Sequence, residues 1–80
     1  MKIKDIEAGK IFNIENTPTY PKLKLKEGYV DMRDEILNRN PGLFEAEIMT
    51  DEAVNEQFEK YGMNPENVQT LIKKLNDRFL

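Results

Sequence analysis

Residues 64–79, NPENVQTLIKKLNDRF, are the stretch of the sequence that decides the fold. Their large apolar residues recur at the spacing of one helix face, and polar residues occupy the rest of the circumference. This apolar stripe consists of Val68, Leu71, Ile72, Leu75 and Phe79. Asn64 is a favourable N-cap residue and Pro65 suits the first turn, so the pattern predicts a helix that begins at Pro65.

A helix of this length is marginally stable alone in water, so the remaining chain must supply an apolar surface for its stripe. A chain of 80 residues suffices for one domain with one core. We therefore interpret residues 1–80 as a single domain, with a β-rich part over 1–49 and a helical hairpin over 50–80.

Certain residue types are missing, and their absence restricts the possible chemistry. The sequence contains no Cys, His, Ser or Trp. The common nucleophiles, the imidazole base and the usual zinc and haem ligands are therefore lacking. We expect a protein that is not an enzyme and that uses no metal and no cofactor.

The charge of the chain is mildly acidic and unevenly distributed. The net charge is −3, and residues 41–80 carry four basic against eight acidic residues. An acidic protein is a poor ligand for polyanions, which disfavours nucleic acid as a partner. The sequence shows neither a secretory signal nor an apolar run that could span a membrane, so we expect a cytoplasmic protein without a membrane partner.

Two stretches of the first half alternate like β-strands. Residues 10–15, KIFNIE, form the first, with Phe12 out of phase. Residues 22–26, KLKLK, alternate throughout, which predicts that Leu23 and Leu25 are buried and that the three lysines face solvent. Lysines on one face of a short strand are also typical of a sheet edge.

The chain then turns and forms a third and a fourth apolar segment. A turn at 27–28 predicts that Tyr29 and Val30 run back antiparallel as a hairpin arm. Apolar and polar residues alternate again over residues 43–49, which predicts a strand. Its predicted inner face contains Phe44, Ala46 and Ile48, and its outer face contains Glu45 and Glu47.

Two further helices are predicted. Apolar spacing after Asp31 and the stop signal at 40–42 indicate a short helix over 32–39. Thr50 is a favourable N-cap for a second helix over 51–61, which Gly62 would end. The predicted fold class is α+β: a small, mainly antiparallel sheet or partial barrel of about three to four strands, packed by one hydrophobic face against a C-terminal pair of helices.

Residues 51–79 also have the spacing of a DNA-binding helix-turn-helix unit, with 65–75 as the recognition helix. Lys73 and Lys74 would then contact DNA. Phe58 is bulky where such units place a small residue, and Glu66 would face phosphate. An ordinary helical hairpin packed on a sheet is therefore the interpretation that we favour.

A second candidate site is the basic strand with its flanking aromatic residues, because stacking rings beside cations bind single-stranded nucleic acid or a protein surface. It comprises Tyr20, Lys22, Lys24, Lys26 and Tyr29. The alternative is a merely solvated strand face. Residues 17–21 contain a minimal PxxP motif, which we interpret as a rigid connection that packs Tyr20 onto the core.

The acidic residues Asp31, Asp34 and Glu35 form a third candidate, because converging carboxylates can bind a cation or transfer protons. Helix capping and solvation are the simpler explanation. The methionines and remaining aromatics are expected in the core, and an exposed member would mark a surface for a partner. They are Met32, Met49, Met63, Phe44, Tyr61 and Phe79.

These observations favour a small binding module, such as an adaptor, assembly factor or regulator, that acts through protein–protein interaction. The alternative is a DNA-binding regulator that uses the unit at 51–79. Seven residues are the predicted contacts with a partner: Tyr20, Lys22, Lys24, Lys26, Tyr29, Lys73 and Lys74. A homodimer is compatible with either function.

Overall fold

The computed structural model describes residues 1–15, 20–39 and 44–80. Within these residues, five strands form one open antiparallel sheet, and two helices follow it. The strands are β1 Ile11–Ile14, β2 Lys22–Leu25, β3 Gly28–Asp31, β4 Leu37–Asn38 and β5 Ala46–Ile48, in the spatial order β4-β3-β2-β1-β5. The helices are α1 Asp51–Glu59 and α2 Pro65–Phe79. The predicted α+β class is confirmed, with one strand more than expected.

Both helices begin at the predicted caps, whereas α1 ends at Glu59, two residues before the predicted end at 61. The Asn64 side chain accepts a hydrogen bond of 2.9 Å from the Asn67 N–H, and α2 begins at Pro65 as predicted. Thr50 caps α1 in the same way, through a bond of 3.1 Å from the Ala53 N–H. Each cap satisfies one of the backbone donors that a helix start leaves unpaired. Neither helix in the described part of the chain has the length and apolar character that a membrane span requires.

The main core lies between the sheet and the two helices. The apolar stripe of α2 packs into it, as predicted, through buried Val68 and Leu75 and the half-buried Leu71, Ile72 and Phe79. The other buried members of this core are Leu23, Leu25, Val30, Met32, Val54 and Phe58.

The sheet has a second apolar face, which the sequence analysis did not predict. Ile3 and Ile6, from the segment that precedes β1, are buried against Phe12 and Ala46. A short 3-10 helix, Ile3–Asp5, brings this segment across the sheet. Phe12 therefore does not interrupt the alternation of β1. Its side chain belongs to the second face, whereas that of its neighbour Ile11 packs on the main core.

The predicted helix over 32–39 is wrong. The Asp31 and Asp34 side chains accept hydrogen bonds from the N–H groups of Arg33 and Ile36, which are two residues further on. Such bonds stabilise turns in competition with a helix. Glu35 has a φ of 59°, and Leu37–Asn38 then pairs with β3 as β4.

Parts of the sequence-based description lie outside the described residues. They are the first four residues of the predicted loop at 16–21, which include the first two residues of the PxxP motif, and the helix stop at 40–42 with residue 43. The predicted hairpin between β2 and β3 is confirmed.

Candidate interaction surface

Tyr20 lies on the helix side of the sheet. Its ring packs edge-to-face on Phe58, with 5.1 Å between centroids, and lies 4.5 Å from the ring centroid of Tyr61. Its hydroxyl donates to the Met63 sulfur at 3.6 Å. The prediction that Tyr20 packs onto the core is therefore confirmed, although its side chain remains half-buried.

The prediction that the β2 lysines face solvent at a sheet edge is wrong. β2 is the central strand of the five, and Lys22 and Lys24 are only 5% and 6% exposed. Their Nζ atoms donate to backbone carbonyls, Lys22 to that of Tyr20 and Lys24 to that of Leu25, each at 2.8 Å. Long lysine stems can cover apolar surface in this way while the ammonium keeps a polar partner.

Lys22 also faces a carboxylate on the neighbouring strand. Its ammonium lies 3.6 Å from Oδ2 of Asp31, which is its direct partner in the β2–β3 ladder. Burial nevertheless lowers the pKa of Lys22, because removal of the ammonium from water outweighs the attraction of Asp31. This pair is a structural contact inside the sheet rather than an open binding surface.

Tyr29 lies on the same face of the sheet as the β2 lysines and is the direct partner of Lys24 in the β2–β3 ladder. Tyr29 packs on the second face, edge-to-face with Phe12 at 5.6 Å between centroids, and its hydroxyl accepts a bond from the Asn38 side chain. Lys26 is exposed in the turn between β2 and β3. Tyr20 and Tyr29 therefore lie on opposite faces of the sheet and do not flank one row of cations.

Lys73 and Lys74 are both exposed on α2. The Lys74 ammonium lies 3.1 Å from the Glu35 carboxylate, in the connection between β3 and β4. The seven predicted contact residues thus do not form one patch, and their role in partner binding stays a prediction.

The three acidic residues near 31–35 have different partners. Asp31 faces Lys22, Asp34 accepts from the Ile36 N–H, and Glu35 faces Lys74. Across the described residues, no three acidic side chains converge closely enough to hold a metal ion.

The outer strand β5 presents the surface that best fits a partner. We call residues 44–48 the β5 edge. The backbone groups of the odd-numbered residues face β1. The Glu15 N–H donates to the Glu45 carbonyl, and the N–H of Met49, just after the segment, donates to the Ile11 carbonyl. Even-numbered residues point their backbone groups outward, and the Ala46 N–H donates to the Met1 carbonyl at 2.7 Å.

Ile48 continues this outward pattern beyond the reach of the N-terminal residues. Its N–H and carbonyl face the outer side of the sheet, because the Phe12–Ile48 pair lies between the bonded pairs of the β1–β5 ladder. Within residues 1–15, 20–39 and 44–80, no hydrogen bond occupies these two groups. β5 is therefore an edge strand with an available donor and acceptor.

Large apolar side chains are exposed along the same edge. Phe44 is 65% exposed and Ile48 is 43% exposed, whereas Ala46 between them is buried. The expectation that Phe44 belongs to the core is wrong, and so is the same expectation for Tyr61, which is 45% exposed. Exposure of such residues is the feature that indicates a partner surface.

A hollow of about 280 Å³ lies beside the β5 edge, and its wall includes Glu47, Ile48, Thr50 and Ala53. Glu47 is exposed, and its neighbour Glu45 is already held by the N-terminal ammonium at 2.8 Å and by Lys2 at 2.9 Å. Sequence reasoning found the alternation of this strand but did not identify it as the functional candidate. The signal that could have done so is the alternation of apolar and acidic residues over 44–48, without a lysine or proline to block a strand edge.

No protein-family model matches this chain, and the comparisons with curated proteins and with solved structures give no match either. Function is therefore inferred from the geometry of the surface alone.

Proposed function

We propose that this protein is a small non-enzymatic binding module, an adaptor, assembly factor or regulator, that binds another protein through the β5 edge. The observation that carries the proposal is the exposure of Phe44 and Ile48 on an edge strand. The absence of Cys, His and Ser from the sequence supports a binding role over a catalytic one.

Strand edges and exposed apolar side chains are complementary contributions to recognition. An added strand gains main-chain hydrogen bonds at the edge, and its side chains gain specificity from the neighbouring surface. Natural proteins commonly block edges with lysines or prolines, and residues 44–48 contain neither. A partner would remove the apolar side chains of this edge from water.

The test is capture of a partner from the native lysate with tagged protein, with and without nuclease. Wild type and Ile48→Asp are compared with the control Ile36→Asp, which alters an isoleucine that is 66% exposed away from β5. We expect one protein to be retained by wild type and by Ile36→Asp, lost with Ile48→Asp, and unaffected by nuclease. Equal recovery with both variants would contradict a contact at β5.

The second candidate is a DNA-binding regulator that uses α1 and α2. It is supported by the exposed polar face of α2, which includes Thr70, Lys73 and Arg78, and by Gly62, which turns the chain between the helices at a φ of 82°. This function predicts binding to duplex DNA that weakens steeply with salt and is abolished by Lys73→Glu combined with Lys74→Glu. Salt-insensitive capture of a protein would contradict it.

A further inference from the structure

The β5 edge also restricts the chemistry of its occupant, an inference that rests on the proposed binding of a protein at this edge. Ile48 offers one outward N–H and one outward carbonyl. An extended segment laid beside β5 would form a pair of hydrogen bonds with them and would continue the antiparallel sheet.

Such a segment would meet two different environments, because its successive side chains point to opposite faces. On the second face lies the exposed side chain of Ile48, in register with buried Phe12. On the helix face lies the hollow that Glu47 and Thr50 line. Alternate side chains of the occupant would therefore contact the apolar side chain of Ile48 on one face and, on the other, a hollow in which Glu47 is the one charged lining residue among those that the structure describes.

Within the described residues, one carboxylate of this surface, that of Glu47, is not paired with a cation of the chain. Glu47 is exposed and has no ion pair within the described residues, whereas Lys2 and the N-terminal ammonium are both bound to Glu45. Asp51, at the start of α1, is a second exposed carboxylate near the end of β5, but Lys10 lines the same neighbouring hollow, so the expected charge preference rests on Glu47. Cross-strand pairs of opposite charge are favourable, and pairs of like charge are not.

We infer that the occupant of the β5 edge is an extended segment of the partner protein in which apolar and basic side chains alternate. The apolar residues pack beside Ile48, and a Lys or Arg side chain enters the hollow beside Glu47. A second copy of this chain is a poorer occupant, because pairing of two β5 strands would bring the acidic groups of both copies to one seam.

The test uses a fluorescently labelled peptide of three Val-Lys repeats. Its control is a peptide of equal composition with three Val followed by three Lys, which has the same charge without the alternation. We expect the alternating peptide to bind at least about tenfold more tightly and to shift amide NMR signals of residues 44–48. Equal affinity of the two peptides, or shifts confined to another surface, would overturn the inference.

Three protein variants identify the contacts. Glu47→Gln is expected to weaken the alternating peptide about twofold to fivefold, the contribution of one cross-strand pair. Ile48→Pro removes the outward N–H and is expected to weaken it about tenfold, whereas Ile48→Val keeps that donor and retains affinity. If Ile48→Pro does not fold, a peptide methylated at alternate backbone nitrogens tests the same hydrogen bonds on the wild-type protein, and unchanged affinity would contradict strand addition.

The oligomeric state and the lysate capture together tell whether the inferred occupant or the proposed function is wrong. A dimer in sedimentation whose interface maps to residues 44–48 would replace the partner segment by a second copy and overturn the inference. Capture of a protein that depends on Ile48, together with no preference for alternation in the peptides, would contradict the chemistry of the occupant alone. Loss of the dependence on Ile48 would contradict the proposed function itself.

Discussion

Gly28 and Asn38 approach each other so closely that a Cβ atom on Gly28 would overlap the carbonyl oxygen of Asn38. The same Cβ would lie 2.8 Å from the Cα of Arg39, and Gly28 has a φ of +105°. Both the close passage of β4 and the backbone conformation therefore require glycine at the start of β3.

Gly28→Ala is expected to lower the free energy of unfolding by more than about 2 kcal/mol, because strained backbone and displaced β4 both contribute. Chemical denaturation monitored by circular dichroism measures the loss. Gly62→Ala is the control: its φ is +82°, but no atom of the described residues lies within 4 Å of the added Cβ. We expect Gly62→Ala to lose only the free energy that comes from placing a residue other than glycine at a positive φ. An equal loss of stability in the two variants would show that the contact with β4 is unimportant.

Features that depend on local sequence could be predicted. The bounds of α2 follow from Asn64, Pro65 and the apolar spacing, all within one stretch of the chain. The hairpin between β2 and β3 follows from the strand alternation and Gly28. Around Asp31 the same reasoning was wrong, because an Asp side chain can cap a helix or close a turn, and β4 pairing selects the turn.

Features that depend on position in the sheet could not be predicted. The alternation of β2 separates Leu23 from Lys24, but it does not tell whether the lysine face is covered. The segment with Ile3 and Ile6 covers the second face, so both β2 lysines are buried. For Phe44 the error is the reverse: the alternation assigns it to an inner face, but in the part of the chain that the structure describes its side chain is 65% exposed.

Phe79 is expected to contribute to the core, and Leu80 is not. Phe79 is half-buried against the main core, whereas Leu80 is 50% exposed. Phe79→Ala should cost about 1 to 3 kcal/mol, less than for a fully buried ring, and Leu80→Ala less than about 0.5 kcal/mol. Thermal melts of the two variants measure the difference. If Leu80→Ala were the more damaging, the packing assigned to the end of α2 would be wrong.

Asp31→Asn is expected to destabilise the protein by about 1 to 3 kcal/mol, because it leaves the buried Lys22 ammonium without its carboxylate. The double variant Lys22→Met with Asp31→Leu removes both charges and should lose less than Asp31→Asn alone. Urea unfolding of Lys22→Met, of Asp31→Leu and of the double variant provides the coupling energy. Asp34→Asn serves as the control, since an Asn oxygen can still accept from the Ile36 N–H. If the double variant loses as much free energy of unfolding as the two single variants lose together, the two residues are not coupled.

The Glu45 carboxylate makes the free energy of unfolding depend on pH in the acidic range. Its pKa is lowered from about 4.5 to about 2 because the N-terminal ammonium donates a hydrogen bond to it, and Lys2 donates another. A group whose pKa is lower in the folded state contributes stability that is fully present above its unfolded pKa and is lost as the pH falls through its folded pKa. Wild type should therefore lose stability between about pH 4.5 and pH 2 more steeply than Glu45→Gln does.

Urea unfolding across this pH range measures the slope, and Glu47→Gln controls for loss of an exposed carboxylate on the same strand. NMR titration of the Glu45 side chain provides the folded-state pKa directly. Acetylation of the N-terminus removes the ammonium charge and should raise the pKa of Glu45 toward its usual range, because Lys2 then remains as its only cation within the described residues. A pKa for Glu45 that is unchanged by acetylation would show that the N-terminal residue does not hold the end of β5.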